Sequence, residues 1–212
     1  RIPFLFLRIT MALPIAIVMD VDQVLLDYAS RLREFVNAKH GKVIIGHSLE
    51  WDLTEWLQVE DPCETQPILE EFSRSYEFGT LDAFPGADVV LHNLLRSGYR
   101  LIALTACGTN PLTIALRKVN MFHRFGDIFE QVHFVEFTDS KSDKLLEIGK
   151  SYDIKVFIDD KPQNILDAIY DTGQVRNILM KAPHNRKFRE VGHPDVDYAF
   201  SWYECEQLIK GY

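Results

Sequence analysis

The chain has 212 residues, of which 47% are hydrophobic and 25% charged, a composition typical of a folded globular protein and not of a disordered or membrane-spanning one. Its formal net charge is -8, and no segment carries the clustered Lys and Arg that binding to duplex nucleic acid requires. The three cysteines form no CxxC pair, which favours a reducing compartment, so we expect a cytoplasmic protein.

Residues 1–10, RIPFLFLRIT, are apolar but too short to cross a bilayer, and they lack a convincing cleavage site. Because Met11 follows directly and the chain does not begin with Met, we expect that the natural start is Met11 and that residues 1–10 are a non-native extension. The alternative is an additional edge strand.

Five short apolar runs predict β-strands at residues 14–19, 99–105, 131–137, 154–159 and 176–180. The first, second and fourth runs are nearly continuous, which is typical of parallel strands buried on both faces. Helical patterns lie between the later strands, at residues 87–96, 110–119, 142–151 and 162–172. This alternation predicts an α/β fold with a three-layer, Rossmann-like parallel sheet and a working site at the carboxyl ends of its strands.

Residues 27–80 interrupt the alternation, because they contain no strong strand signal. Three helical patterns can be drawn in this segment, at residues 28–39, 48–58 and 66–78. An insertion directly after the first strand would lie above the carboxyl end of that strand. We therefore predict a catalytic core of residues 11–27 and 81–212 and a small helical cap of residues 28–80.

The stretch IAIVMDVDQVLLDY, residues 15–28, ends the first predicted strand with Asp20 and Asp22. Asp is a poor strand former and two carboxylates at this spacing repel each other, so a bound cation is the leading explanation. Three further segments place candidate groups at or after later strands: LTACGT with Thr105, TDSKSDK with Lys141 or Lys144, and FIDDKPQN with Asp159 and Asp160. The predicted topology brings all four segments to one edge, with the composition of a site that transfers a phosphoryl group.

The chemistry of such a transfer assigns roles to these side chains. Asp20 can attack phosphorus and form an aspartyl-phosphate, while Asp22 protonates the leaving oxygen and then activates water. Mg²⁺ would bridge Asp20 and a carboxylate of the IDD segment. Thr105, nearby backbone N–H groups and a lysine would stabilise the remaining phosphate charge.

The four segments in this order resemble the motifs of the haloacid dehalogenase (HAD) superfamily, and the insertion resembles its helical C1 cap. The resemblance covers essentially everything after Met11. Within the superfamily the chain resembles the 5′(3′)-deoxyribonucleotidase branch, through DVDQVLLDY, FPGA, IDDKP, APHNRKF and FSWYECEQLI. The resemblance implies a Mg²⁺-dependent phosphomonoester hydrolase that acts on a nucleoside monophosphate, and related nucleotidases suggest a homodimer.

The resemblance also implies the role of each residue. Asp20 is the nucleophile and Asp22 the acid and base, and this Asp at position 22 favours phosphatase over dehalogenase chemistry. The implied metal site consists of Asp20, the backbone carbonyl of Asp22, and Asp160, with support from Asp159 and Asn164. The implied phosphate-binding residues are Thr105, Ala106 and Lys141, with Lys144 as the alternative lysine.

Two positions depart from the family pattern. Gln23 stands where relatives usually carry Gly, which could alter the turn after the nucleophile. Ala106 and Cys107 stand where many relatives have a hydroxyl-bearing residue. Cys107 is expected to be a packed side chain because no His is placed by the sequence to activate it.

Aromatic residues in the predicted cap are candidates for stacking on a nucleobase, although core packing is the better expectation for any single one. They are Trp51, Trp56, Phe72, Tyr76 and Phe78. The late segment His184-Asn185-Arg186 also belongs to the resemblance, and Arg186 could help to hold an anion.

Two other interpretations of the DxD pair do not fit the sequence. A calcium loop does not fit, because Val24 and Leu25 occupy positions where Asp or Asn and then Gly are needed. A glycosyltransferase DxD site leaves Thr105, the lysine and the IDD segment unexplained. Two alternatives stay open: a HAD phosphatase for another small metabolite or a polynucleotide end, and a catalytically silent HAD-like nucleotide-binding module.

Overall fold

Six parallel strands form one sheet in the computed structural model, which describes residues 12–173 and 175–211. The strands are β1 (Ile15–Met19), β2 (Arg100–Thr105), β3 (Phe129–Phe134), β4 (Asp153–Asp159), β5 (Arg176–Met180) and β6 (Val196–Ala199). Their order is β3-β2-β1-β4-β5-β6, so the chain builds one side of the sheet from β1 and then crosses to the other. The reversal leaves a crevice beyond the carboxyl ends of β1 and β4, where proteins of this class bind ligands.

The central strands carry apolar residues on both faces because helices cover both faces of the sheet. In β1, Ile17 and Met19 belong to one hydrophobic cluster, while Ala16 and Val18 belong to the other, and all four are buried. The three-layer α/β fold predicted from the continuous apolar runs is confirmed. The expectation for residues 1–10 lies outside the described residues.

Eight helices accompany the sheet within the described ranges: α1 (Tyr28–His40), α2 (Thr65–Ser73), α3 (Ala87–Arg96), α4 (Pro111–Phe125), α5 (Ser142–Ile148), α6 (Pro162–Thr172), α7 (Arg186–Val191) and α8 (Trp202–Lys210). The bounds of α3 and α6 agree with the prediction. Helix α4 is longer than predicted, because Asn110 caps its start by accepting a hydrogen bond from Leu112 N at 3.0 Å and no breaker occurs before Gly126. None of the described helices is long and apolar enough to cross a membrane.

Residues 28–80, which we call the cap segment, lie between β1 and α3. They contain α1, α2 and two short 3₁₀ turns at Pro62–Glu64 and Glu77–Thr80, so the helix predicted at residues 66–78 ends early and continues as a turn. The helix predicted at residues 48–58 is wrong. There, Ser48 Oγ and Asp52 Oδ1 accept hydrogen bonds from the backbone N–H groups of Glu50 and Thr54, which favours turns over helix.

The last third of the chain contains elements that the sequence patterns missed. Strand β6 has only four residues, helix α7 has six, and helix α8 buries three side chains, Trp202, Cys205 and Ile209. Strand β3 begins at Phe129 and ends at Phe134, so the predicted strand at residues 131–137 was placed too late.

Helix α8 is connected to the loop after β1 through Trp202. This side chain is buried, and its indole Nε1 donates a hydrogen bond of 2.9 Å to the carbonyl oxygen of Val24. Val24 lies four residues after Asp20, so the far end of the chain helps to hold the loop that carries the paired aspartates.

Replacing Trp202 with Phe tests this connection. The change removes the N–H donor and leaves the buried Val24 carbonyl without it, so we expect the free energy of unfolding to fall by about 1–3 kcal/mol in urea denaturation. Tyr170→Phe is the control, because Tyr170 is exposed and surface changes stay within about 0.5 kcal/mol. Equal stabilities of the two variants would contradict the assigned role.

Candidate active site

Asp20 lies at the point where the order of the sheet reverses. It follows the last residue of β1, and its backbone N–H donates a hydrogen bond of 2.8 Å to the carbonyl of Ile158 in β4. One carboxylate oxygen, Oδ1, accepts a hydrogen bond of 2.7 Å from Val21 N. The side chain is therefore buried and fixed in the crevice between the two central strands.

Asp159 and Asp160 complete an acidic cluster with Asp20. Each of the three residues offers an oxygen, and these oxygens all lie within 4.8 Å of one another. All three residues are buried. Clustered carboxylate oxygens are the ligands that hard divalent cations prefer, so the donor set fits such an ion.

Lys141 supplies positive charge inside this cluster. Its ammonium Nζ lies 2.8 Å from Asp20 Oδ1 and 2.8 Å from Asp159 Oδ2, and only 1% of its side chain is exposed. Burial alone would lower the pKa of Lys141, but the two carboxylates outweigh it and raise that pKa. Lys144 instead pairs with Glu147 on the surface. The structure thus brings Lys141, and not Lys144, to the cluster.

The two adjacent aspartates of the IDD segment have different surroundings. Asp159 accepts hydrogen bonds from Lys161 N at 2.8 Å, Asn164 Nδ2 at 3.0 Å and Lys141 Nζ at 2.8 Å. Neither carboxylate oxygen of Asp160 accepts a well-aligned hydrogen bond from the described residues. Asp159 is therefore the fixed member of the pair, while Asp160 keeps Oδ1 free of partners among the described residues.

His184 lies next to Asp160. Its Nε2 is 3.0 Å from Asp160 Oδ2 and 3.2 Å from the Asp160 carbonyl oxygen. Burial raises the pKa of Asp160, and His184 opposes that effect. For His184 itself, burial would lower the pKa, but Asp160 raises it overall. Burial likewise raises the pKa of Asp20, although Lys141 opposes it.

Asp22 sits in a tight turn, and the residue that follows it, Gln23, adopts a backbone conformation that favours Gly. Gln23 has φ +61°, a left-handed conformation that Gly adopts at little cost. Its side-chain Oε1 accepts a hydrogen bond of 2.9 Å from Ala29 N in the first turn of α1. This contact offsets part of the backbone cost and connects the turn to the cap segment.

Arg117 is the partner of Asp22. Its Nη2 lies 2.5 Å from Asp22 Oδ1, and the guanidinium is fully buried on α4. Burial raises the pKa of Asp22, and Arg117 opposes that rise. Arg117 was not predicted from the sequence. The only available signal was its place among the apolar positions of α4, where Met121 and Phe125 are also buried.

The end of β2 contributes Thr105, Ala106 and Cys107. Ala106 lines the cavity described below. Thr105 is fully buried, and its Oγ1 has no hydrogen-bond partner among the described residues. Cys107 is buried as well, and burial raises the pKa of its thiol to about 11, which fits the packed role expected for it.

A cavity of 320 Å³ opens above these groups. Asp20, Asp22, Lys141 and Asp160 lie in its wall on the side of the sheet. The cap segment forms the facing wall, mainly with apolar side chains: Tyr28, Leu32, Trp51, Leu53, Trp56 and Leu69. The ring centroid of Trp51 is 5.1 Å from that of His184, and Lys161 Nζ lies 4.6 Å from the Trp51 centroid.

Two predicted substrate-binding residues lie elsewhere. Phe78 is fully buried and packs edge to face against Tyr28 and Phe72, so it belongs to the hydrophobic core of the cap segment. Arg186 is exposed and pairs with Glu190. Neither residue lines the cavity, whereas Trp51 and Trp56 do.

Solved structures that share this fold include phosphatases and haloacid dehalogenase-like hydrolases. A predicted phosphatase from Clostridium acetobutylicum has a TM-score of 0.66 at 15% identity, with 95% of this chain and 100% of that chain covered. A haloacid dehalogenase-like family hydrolase from Streptococcus pneumoniae gives 0.63 at 15% identity, covering 91% and 96%. CbbY from Rhodobacter sphaeroides, in complex with phosphate, gives 0.59 at 18% identity, covering 91% and 96%.

A family model described as "5' nucleotidase, deoxy (Pyrimidine), cytosolic type C protein" matches residues 13–211. The chain belongs to this family. This finding confirms the predicted HAD-type phosphatase related to the deoxyribonucleotidases. No curated protein matches the chain.

Lys141→Met and Lys144→Met form a matched pair that tests which lysine supports the cluster. Removing the buried ammonium leaves Asp20 and Asp159 without their shared cation, and breaking a buried ion pair costs about 3–5 kcal/mol. We expect a loss of that size in the free energy of unfolding for Lys141→Met, measured by urea denaturation. Lys144→Met should change it by less than about 1 kcal/mol. Similar losses in both variants would contradict the assignment.

Proposed function

We propose that the protein is a Mg²⁺-dependent phosphomonoesterase that removes phosphate from a nucleoside monophosphate through an aspartyl-phosphate on Asp20. The observation that carries the proposal is the position of Asp20, buried beside Lys141 and facing the same cavity as Asp22 and Asp160. Membership of the nucleotidase family supports it.

The contacts of Asp20 suggest which oxygen reacts. Its Oδ1 accepts a hydrogen bond from Val21 N and forms an ion pair with Lys141. This leaves Oδ2 to form the bond to phosphorus. As that bond forms, the bond between phosphorus and the ester oxygen breaks. Asp22 donates its proton to the departing oxygen, which leaves as the alcohol of the nucleoside.

The second step regenerates the carboxylate. Water attacks the phosphorus of the aspartyl-phosphate, and the ionised Asp22 takes one proton from that water. The bond between phosphorus and Asp20 breaks, so inorganic phosphate is released. Lys141 stays within ion-pair distance of Asp20 and stabilises negative charge in both steps.

The residues that would hold Mg²⁺ are Asp20, Asp160 and the backbone carbonyl of Asp22. The unpartnered Oδ1 of Asp160 supports this choice, and Asp159 with Asn164 would act as support. When bound, the ion neutralises phosphate charge and polarises phosphorus. Thr105 Oγ1 and Ala106 are the further groups proposed to bind phosphate.

The cavity supports a nucleoside as the rest of the substrate. Its volume of 320 Å³ lies within the usual range for small-molecule sites, and Trp51 and Trp56 offer flat apolar faces for a base. Asp52 and Asp139 also line it, and these carboxylates disfavour substrates with a second phosphate. On the family resemblance, we also propose a cytoplasmic protein that forms homodimers.

A catalytically silent nucleotide-binding module is the alternative from another class. The arrangement argues against it, because Asp20, Asp22, Lys141 and Asp160 have the chemistry and positions that phosphoryl transfer needs. A phosphatase for another small metabolite or a polynucleotide end would use the same groups, so the choice of substrate decides between these readings.

A phosphate-release assay tests the proposal directly. The panel contains deoxy- and ribonucleoside monophosphates, sugar phosphates and a 3′-phosphorylated oligonucleotide, each with Mg²⁺ or EDTA. We expect turnover of nucleoside monophosphates that EDTA abolishes and that Asp20→Asn lowers by at least about 10³-fold, because the nucleophile is lost. Turnover confined to another class would contradict the nucleotide assignment. Binding of nucleotide by the native chain without any turnover would support the silent module.

Thermal unfolding tests the metal site separately from turnover. An ion that binds only the folded state stabilises it, so Mg²⁺ should raise the Tm of the native chain. Asp160→Asn should remove most of that rise, because it replaces a charged carboxylate ligand with a neutral amide. Asp143→Asn is the control, since Asp143 is exposed on α5, and it should keep the full rise. An unchanged response in Asp160→Asn would exclude Asp160 as a ligand.

A further inference from the structure

One face of α4 holds the segment through which the chain returns from the cap segment to the sheet. Asn120 accepts a hydrogen bond of 3.1 Å from Leu81 N and donates one of 3.0 Å to the Leu81 carbonyl. Arg124 Nε donates to the same carbonyl at 2.7 Å, and its Nη2 lies 2.6 Å from Asp82 Oδ1. These contacts fix the return segment to the core.

Arg117 lies on the same face of α4, one turn before Asn120, and points at the site instead. Its Nη2 is 2.5 Å from Asp22 Oδ1. Its Cζ lies 4.0 Å from the centroid of the Phe78 ring, and Phe78 belongs to the 3₁₀ turn that precedes Leu81. The guanidinium therefore joins the second aspartate to the end of the cap segment.

The burial of Arg117 is costly for stability alone. The side chain is fully buried, and neither Nε nor Nη1 has a hydrogen-bond partner among the described residues. Desolvating a charge in this way is often not repaid by a single ion pair. A contact with so little net benefit to folding points to a role in the chemistry of its partner, Asp22.

Arg117 is not among the residues that line the cavity, so it would act through Asp22 and not on the substrate. Holding Oδ1 leaves Oδ2 of Asp22 for the leaving oxygen. Proton transfer depends on hydrogen-bond reach, and a misplacement of about 1 Å can cost about 10²-fold in rate.

We propose that Arg117 is a positioning residue that orients Asp22 for proton transfer. Through its contact with Phe78, Arg117 also connects this orientation to the position of the cap segment. The inference rests on the proposed function. It adds to that function a residue from α4, outside the four sequence motifs.

Arg117→Gln tests the inference, with Arg124→Gln as the matched control on the same helix face. Two substrates separate proton donation from the rest of the reaction. A nucleoside monophosphate has an alkoxide leaving group that needs a proton, whereas the nitrophenolate of p-nitrophenyl phosphate leaves readily without one. Single-turnover release of nucleoside and the pre-steady-state burst of nitrophenolate both report the first step alone.

We expect Arg117→Gln to slow single-turnover release of nucleoside by about 10- to 100-fold. Its nitrophenolate burst rate should stay within about 3-fold of the native rate, and KM for both substrates should change little. Arg124→Gln should leave the ratio of the two rates unchanged. Arg117→Lys, which keeps the charge but not the planar fork, should recover part of the nucleoside rate.

Three outcomes would overturn the inference. They are equal losses with both substrates, a loss of the same pattern in Arg124→Gln, and no loss in Arg117→Gln. If Arg117→Gln fails to fold, as judged by circular dichroism, Arg117→Lys decides, because a selective loss with nucleoside supports the role and a native ratio contradicts it. A native chain without turnover would overturn the proposed function and this inference together. If the native chain turns over and Arg117→Gln keeps the native ratio of nucleoside to nitrophenolate rates, only the inference is overturned.

Discussion

Lys141 bridges the two central strands of the sheet through contacts of 2.8 Å to Asp20, after β1, and 2.8 Å to Asp159, at the end of β4. The strand order places these carboxylates side by side, because β1 and β4 are parallel neighbours. After β3 the chain returns to the middle of the sheet and adds β4 on the other side of β1. Without a cation, buried carboxylates at such distances would repel each other and favour their neutral forms. The internal ammonium opposes that tendency in the buried crevice, and the clustered carboxylate oxygens suit a divalent cation.

The second aspartate depends on a different part of the chain. Asp22 is held by Arg117 from α4, while the turn that contains it is connected to α1 through Gln23 and Ala29. Helix α4 also binds Leu81 through Asn120. The same helix therefore contacts both Asp22 and the return of the cap segment, which is the structural basis of the proposed link between them.

The parts of the fold that the sequence predicted well are those with strong local signals. The apolar runs of β1, β2 and β4 mark strands buried on both faces, and the bounds of α3 and α6 follow from their amphipathic patterns. The helix predicted at residues 48–58 failed because local side-chain hydrogen bonds, such as Asp52 to Thr54 N, compete with helix formation. Strand β6 is too short to give a periodic signal. Arg117 was missed because its partner lies 95 residues away in the chain, a pairing that only the folded structure reveals.

The IDD segment shows how much of a site lies beyond sequence patterns. Asp159 and Asp160 are neighbours of the same chemistry, so only the family resemblance, which implies Asp160 as the metal ligand and Asp159 as support, distinguishes them before the structure is known. Asp159 accepts hydrogen bonds from Lys161 N and Asn164 Nδ2 because α6 begins at Pro162 and turns its first residues toward the end of β4. Lys141, which precedes α5, adds an ion pair. Asp160 lies one residue further on and lines the cavity. His184 lies 3.0 Å from its Oδ2, while its Oδ1 has no partner within the described part of the chain. The start of one helix thus divides two identical side chains into a structural anchor and a group left available for binding.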